Sequence, residues 1–525
     1  MNHPKRRIVA TIAGLGLVFG AQVTLGPSPA AAATSLVVST TADIATNAGA
    51  CGNTGITTPP SPLSLREATC LANNIGGTAT ISLPSGTYVL THGELQVGVH
   101  SGQNVTLDGT GAAATTISGG GASRVLDFDS NLLGGVGGTV SDLTITGGAD
   151  STFGGAGIIA GSANAPSADT LAINNSVITA NHANTAGPNV TNRPGGGVQF
   201  IGGTLTISNS TISNNTSLSS PGSGVVYAGT GITAGEALTV TNTTFSSNSA
   251  TNSNGTSVTN GGALDIRGLP STQAVITGSR FTDNSVVATT GGAVGAAIRH
   301  EGGALTVTGS TFTGNAVSGG TLIPAGGAIE VTTGTANLHF NRFLGNTATS
   351  GSAIHVGSGA GSVDATENWF GCNAAPGVSG CDSVSGALAV SPRLALITTA
   401  SPSTVFGPNA TSAITASLTT DSNGGPVAPS NLGAFTGLVV GWSDPLPNGA
   451  TVNGSQVSTT TTISSGQALV TYGSQSASGV GHVVASLDNG SSTATVTVDR
   501  APVVTLHPTS QAGHPGDPVS FTAAG

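Results

Sequence analysis

The clearest pattern in the chain is an apolar residue that recurs three positions before an asparagine, flanked by serine and threonine. The apolar slot holds Ile178, Ile212, Phe245, Phe281, Phe312, Phe343 and Phe370, and a degenerate earlier copy places Ile145 in the same slot. Successive steps are 33, 34, 33, 36, 31, 31 and 27 residues. The asparagines are Asn181, Asn215, Asn248, Asn284, Asn315, Asn346 and Asn373. A second phrase, Gly-Gly-Ala/Gly-aliphatic, runs out of phase at 195–198, 261–264, 302–305 and 326–329, with Gly-Ser variants at 222–225 and 351–354. Self-similarity at a fixed period is the signature of stacked repeats. Between the phrases, stretches such as GTLTI (203–207) and GALTV (303–307) alternate aliphatic with small or polar residues, the period of a strand with one buried face.

Residues that favour helices are scarce, which argues against a helical solenoid, and no propeller-blade signature is present. Strand–turn–strand coils stacked as a parallel β-helix fit the pattern. The Ile/Phe slot then forms an internal column at strand spacing, about 4.8 Å per coil. The asparagines are expected at turns, where asparagine tolerates left-handed geometry, with their amides bonded up and down a ladder. The glycine phrase is expected at corners that leave no room for Cβ atoms.

These repeats resemble right-handed parallel β-helix proteins of the pectate-lyase-like group, especially secreted and surface proteins with polymorphic-outer-membrane-type repeats. The resemblance covers roughly residues 80–395, and the handedness is what it implies. It speaks for fold and says little about function.

Composition sets the address. Only 6% of 525 residues are charged and 3% aromatic, so Ser, Thr and Asn must supply the wetted surface. The N-terminus runs MNHPKRR, an apolar stretch from Ile8 to about Gly20, and small residues up to Ala33, the order of a secretory signal peptide over 1–33. Removing Lys5, Arg6 and Arg7 from 12 basic residues leaves 9 arginines against 22 acids, a net charge of −13. That sign disfavours nucleic acid as a partner. No transmembrane segment is expected after cleavage. The absence of lysine from the mature chain excludes Schiff-base chemistry.

Four cysteines remain: Cys51, Cys70, Cys372 and Cys381. In an oxidising compartment the close pairs 51/70 and 372/381 suggest two disulfides, with other pairings formally open. Cys-x-x-Cys spacing is lacking, which weakens a zinc reading.

The stack needs caps. Residues 34–79 are read as the N-terminal cap, in which Ser64 and Glu67 form a capping box ahead of an apolar stripe, Leu65, Ala68, Leu71 and Ala72. Ser64-Leu65-Arg66-Glu67-Ala68 resembles the "CSLREA" segment of many secreted β-helix proteins, with Leu63 standing where that segment has cysteine. This departure implies that Cys70 takes over the pairing with Cys51. At the other end of the β-helix (80–396), NWFGCNAAPGVSGCDSV (368–384) resembles the closing coil of such proteins. There Trp369 and Phe370 would cover the last core layer and Cys372–Cys381 would staple the exit loop. Carbohydrate stacking on Trp369 is the rival role.

Residues 397–500 carry about seven strand-like runs separated by SNGG, PNG, VNG and DNG turns, which suggests an immunoglobulin-like sandwich around Trp442. The run GQALVTYGSQSASGVGHVVASLDNG resembles bacterial immunoglobulin-like modules. Residues 501–525 resemble the opening strands of another, which would then be incomplete. The expected fold class is therefore all-β: a right-handed parallel β-helix followed by an immunoglobulin-like β-sandwich.

One column of side chains invites a chemical reading. After the glycine phrases, with GAAI (295–298) aligned to them, stand Gln199, Val226, Asp265, Arg299, Glu330 and His355. Two acids with Arg and His could abstract protons or cleave a glycosidic bond. The plainer expectation is a wet ladder of opposite charges on a shallow face, flanked by the Ser/Gly/Asn-rich insertions 216–235 and 249–260. The calcium-site aspartates of pectate lyases and the paired Asp phrases of polygalacturonases are absent from the sequence. No cofactor or metal is implied. The sequence reading is a secreted or cell-surface non-enzymatic protein binding an extracellular glycan or surface protein, the alternative being a polysaccharide lyase or glycoside hydrolase.

Overall fold

A computed structural model describes residues 33–44 and 59–500, apart from 151–153, 162–168, 184–194, 219–221, 232–234, 253–257, 269–271, 445–448, 457 and 477, together with 515, 516 and 518. The expectations for the signal peptide, for Cys51 and for nearly all of 501–525 fall outside the described residues.

A single coil shows how the sequence makes the stack. Strand Thr204–Ser208 turns inward Leu205 and Ile207. Asn209, at φ 48°, makes the first corner, and Thr211–Ser213 follows with Ile212 inward. Asn214, at φ 53°, makes the second corner before Thr216–Leu218. The chain then returns along Val225–Ala228, burying Val225 and Tyr227, and enters Ala237–Thr241, which lies parallel on Thr204–Ser208. The alternation of apolar and polar positions is thus the alternation of inside and outside.

Stacking these coils gives a nine-stranded parallel sheet containing the Ile/Phe slots, a six-stranded sheet after the asparagines, and an 18-stranded sheet with two ranks. The two ranks merge where Ile298–Thr308, Ile329–His339 and Ile354–Asp364 run through both. Ile145, Ile178, Ile212 and Phe245 are direct partners up the nine-stranded sheet. Phe245, Phe281, Phe312 and Phe343 stack at centroid separations of 4.8, 4.9 and 5.0 Å. Ile117 and Tyr88 extend the column two coils below Ile145. Their flanking residues had drifted from the repeat phrase.

The helix Leu65–Ile75 closes the N-terminal end. Glu67 Oε2 accepts the Ser64 backbone N–H at 2.9 Å, and the Ser64 hydroxyl caps the Glu67 N–H, so both arms of the capping box are made. Leu65, Ala68, Leu71 and Ala72 join the solenoid core. Within the region read as a cap, Thr34–Val37 and Thr78–Ser82 pair as strands of the solenoid sheet, which begins before residue 80.

The second unit has two sheets around one core. Ile397–Ser401, Thr411–Ser417, Gln467–Gly473 and Thr451–Val452 form an antiparallel four-stranded sheet. Thr404–Phe406, Gly490–Asp499, Gly479–Leu487, Val439–Ser443 and Ser458–Thr462 form the other, antiparallel except for its first pair. Trp442 is buried in the shared core, and its indole N–H donates to Thr461 Oγ1 at 2.8 Å.

Three expectations about position need correcting. The ladder asparagines do not hold the left-handed conformation: the residue before each does, at Ala180, Asn214, Ser247, Asp283, Gly314 and Gly345. The glycines of 302–305 belong to a corner between the two ranks, while 295–298 holds the position equivalent to 326–329. Trp369 does not cover the solenoid core. Phe370 does, 5.5 Å from Phe343, while Trp369 points the other way into the core of the second unit. Adjacent strand residues face opposite sides, so one fills each core.

Candidate functional site

The glycine phrase is built for close cover. Gly195, Gly222, Gly261, Gly295 and Gly326 all have positive φ between 59° and 87°. A Cβ on Gly261 would lie 2.7 Å from the Asp265 Cβ, one on Gly295 3.0 Å from that of Arg299, and one on Gly326 2.9 Å from that of Glu330. Each glycine therefore folds the chain back over the residue four positions later. Only glycine meets both the backbone and the space requirement.

That cover changes the character of the column. Gln199, Val226, Asp265, Arg299, Glu330 and His355 are consecutive parallel neighbours, as the alignment of the phrases expects. They are not a wet ladder: Asp265 is 0% exposed, Glu330 4% and Arg299 7%. The insertions expected as groove walls contribute strands to the coils, Thr216–Leu218 and Val225–Ala228 from one and Ser249–Asn252 from the next.

The buried charges are paired. Asp265 receives Arg299 Nη1 at 3.2 Å and Arg267 Nε at 2.7 Å, and Arg299 Nη2 reaches Glu301 at 2.5 Å. Burial works against the Arg299 charge, but Asp265 and Glu301 outweigh it and raise its pKa. His355 Nδ1 lies 2.7 Å from Glu330 Oε2, a bond that raises the histidine pKa against a smaller effect of burial. Asp265 and Glu330 are separated by the Arg299 coil and have different partners. This is an interior electrostatic network.

The asparagine column is a continuous chain of amides. Asn181 Nδ2 donates to Asn215 Oδ1 at 3.0 Å, and the same bond repeats from 215 to 248, 248 to 284, 284 to 315 and 315 to 346, at 3.1, 3.0, 2.9 and 2.9 Å. Each backbone N–H in this run donates to the same neighbouring Oδ1. Asn373 is not a member. Its amide bonds Leu396 O and Ser491 O, tying the exit loop to the second unit, and the acceptor above Asn346 is Asp382. The shorter last step, 27 residues, carries Asn373 past the corner. A parallel ladder joins Thr243, Ser279, Ser310, Asn341 and Asn368, each backbone N–H donating to the side-chain oxygen of the next. Its signal was the third position of every repeat phrase.

Cys372 and Cys381 form a disulfide. Cys70 is buried in the helix and is not a free thiol. The pairing expected with Cys51 lies outside the described residues.

Sequence reasoning missed one cluster on the first coils. Arg124 Nη1 meets Glu94 Oε2 at 2.9 Å and Asp127 Oδ2 at 3.7 Å, and Nη2 meets Asp150 at 3.3 Å. Burial, partly offset by Arg124 and reinforced by Glu94 and Asp129, pushes the Asp127 pKa up to about 7. A neighbouring cavity of about 250 Å³ is lined in part by Arg66, Asn73, Glu94 and Gln96. Gln96 pairs directly with Asp127 across adjacent strands. These early coils lack the glycine phrase, so no sequence alignment brought them into the column. Among the described residues, no group of three or more His, Cys, Asp or Glu is placed to hold a metal ion.

Coils of two to four parallel strands, internal aromatic and amide columns and a capping helix define a β-solenoid repeat protein. A family model described as right handed beta helix region matches residues 131–348, within the stack, and together with the solenoid supports a right-handed β-helix repeat protein. No curated protein and no solved structure matches it. Among the described residues no helix is long and apolar enough to cross a membrane.

Proposed function

We propose that this is a secreted or cell-surface display and adhesion protein without catalytic activity. In this reading the β-helix is a stiff presenting body and the second unit is the first of its immunoglobulin-like spacers. The observation that carries it is the burial of Asp265, Arg299 and Glu330 and their pairing with Arg267, Glu301 and the half-buried His355, which leaves the acids of the column unavailable to a polysaccharide. The four- and five-stranded sheets of the second unit, packed on one core with Trp442 inside, support the immunoglobulin-like likeness. The signal-peptide pattern at 1–33 supports export. The partner is then an extracellular glycan or surface protein, held by the polar outer faces of the coils.

A second reading, hydrolysis of a polysaccharide, draws on the first coils. Glu94 and Asp127 approach one arginine nitrogen, and an Asp127 that titrates near neutrality could serve as a general acid. Incubating the protein with uronic-acid and neutral polysaccharides separates the two. Binding to a glycan array without release of reducing or unsaturated ends is the expected result. Release that disappears in Asp127→Asn would replace the display reading by the hydrolase.

A further inference from the structure

One outer face of the solenoid is a regular lattice. Strands Asn104–Asp108, Gly137–Ser141, Thr170–Asn174, Thr204–Ser208, Ala237–Thr241, Gln273–Thr277 and the second half of Ile298–Thr308 pair in unbroken register. Their outward positions form three ranks; threonine dominates the middle one, interrupted by Ala172 and Val275, and the third is hydroxyl-rich, with Ser141, Asn174 and Ser208 ahead of three threonines. Thr206, Thr239 and Thr306 mark the middle rank, and Thr241, Thr277 and Thr308 the third. From Gly137 to Thr308 these ranks carry no charged side chain and no aromatic. Asp108 bounds the area on one side and His339 on the other.

The geometry selects a class of partner. Hydroxyls and methyls repeat at about 4.8 Å between coils and about 6.6 Å between alternate residues of a strand. Thr206, Thr239 and Thr306 are half-buried and make no side-chain hydrogen bond among the described residues, so their hydroxyls are left for what lies outside. In the third rank the Ser208 hydroxyl donates to Asn174 Oδ1 at 2.8 Å, which fixes both side chains. A protein or anionic polymer would be matched by charge, and a soluble sugar ring by an aromatic platform. A rigid two-dimensional array of hydroxyls and methyls with neither fits a crystalline array of water, whose oxygen rows in hexagonal ice repeat close to the spacing between coils. Ordered waters bridging successive threonines would dock the face at little entropic cost.

We propose that this Thr-rich face binds ice. The inference goes beyond the display role and does not depend on it. The test is partition of the fluorescently labelled full chain into a slowly growing ice hemisphere, together with thermal hysteresis. The protein is expected to enter the ice. Double substitution Thr206→Lys/Thr239→Lys is expected to reduce incorporation at least fivefold with an unchanged melting temperature. Thr179→Lys, on the neighbouring nine-stranded sheet, is expected to leave incorporation unchanged. Rejection of the unmodified protein from ice would overturn the proposal, as would equal loss in the Thr179 variant. Threonine-dependent retention on cellulose or chitin in place of ice would assign the face to a glycan.

Discussion

Asn346 Nδ2 donates to Asp382 Oδ2 at 2.7 Å, so a ladder of neutral amides ends on a carboxylate. The amides below it all point the same way, each giving a proton to the next oxygen. At the far end Asn181 Oδ1 accepts the Gly148 N–H at 2.9 Å. Asp382 also accepts the Asn346 and Gly345 backbone N–H groups, at 3.1 and 3.0 Å. Burial raises its pKa, and these bonds only partly offset that. An amide oxygen could accept both Asn346 bonds without the desolvated charge, leaving only the Gly345 N–H without its acceptor. Asp382→Asn is therefore expected to hold stability within about 1 kcal/mol of the parent, and Asp382→Ala to lose roughly 2–3 kcal/mol by orphaning buried donors. Urea denaturation of both variants checks the difference.

Within the ladder the penalty is set by neighbours on both sides. Asn284 donates to Asn315 Oδ1 and to Phe245 O, and accepts from the side chain and backbone of Asn248. Asn284→Ala is expected to cost at least about 2 kcal/mol, because unsatisfied donors remain in a site that is 0% exposed. A melting temperature unchanged in both Asn284→Ala and Asn315→Ala would contradict the bonding described.

How much of this was legible follows from how each column is written in the chain. Phe245, Phe281 and Phe312 announce themselves because an internal stack needs like residues in register. Ladder asparagines do so because only an amide both gives and receives in one plane. The alignment of Asp265, Arg299, Glu330 and His355 was legible too, since the glycines four residues earlier mark it. Their burial was not, because charge normally signals a wet surface, and the cover comes from a backbone fold. Asn373 misled because a phrase can persist after its corner has been lost. The Glu94–Arg124–Asp127 cluster joins coils with no shared phrase, so only the fold brings it together.

The charge network yields a prediction opposite to that for a surface ladder. Asp265→Ala removes the partner of both Arg299 and Arg267. Leaving the buried Arg299 guanidinium with only Glu301 is expected to cost about 3–5 kcal/mol, where an exposed pair would cost about 1 kcal/mol at most. Thermal melting decides between them, and a loss below about 1 kcal/mol would mean the column is solvated.

His300 gives a pH signature. Its ring is 1% exposed in the solenoid core, between Ile266 and Val331 of adjacent coils, and among the described residues neither nitrogen makes a hydrogen bond of good geometry, the backbone at Gly303 and Thr335 lying nearby. Burial, helped by the adjacent Arg299 charge and opposed by nearby backbone groups and Glu301, lowers its pKa from 6.5 to about 4. The unfolded chain thus binds this proton first as pH falls. The neutral ring's contribution is fully present above pH 6.5 and is lost between pH 6.5 and about 4. The loss is of order 3 kcal/mol at most. Asp127, raised to about 7, titrates in the same window with the opposite sign, so the total curve mixes the two. The difference between the parent and His300→Leu isolates the histidine. It is expected to slope between pH 6.5 and 4 and to be flat above.

The junction between the solenoid and the second unit should melt as one cooperative piece. Asp488 takes Arg342 Nε at 2.9 Å and the Trp369 indole N–H at 2.8 Å, joining the last coils to the turn between Gly479–Leu487 and Gly490–Asp499. A Cβ at Gly490 would come within 2.8 Å of the Trp369 ring, so the turn presses directly on the indole. Trp369 is counted in the second unit's core although its strand neighbour Phe370 closes the first. Asp488→Ala strands a buried guanidinium and an indole N–H at once. The single unfolding transition expected of the parent by calorimetry should then split, the second unit melting first, while the coils up to Phe343 keep their own stack. A transition that stays single, with only a small shift, would show that the two cores hold together through apolar contact alone.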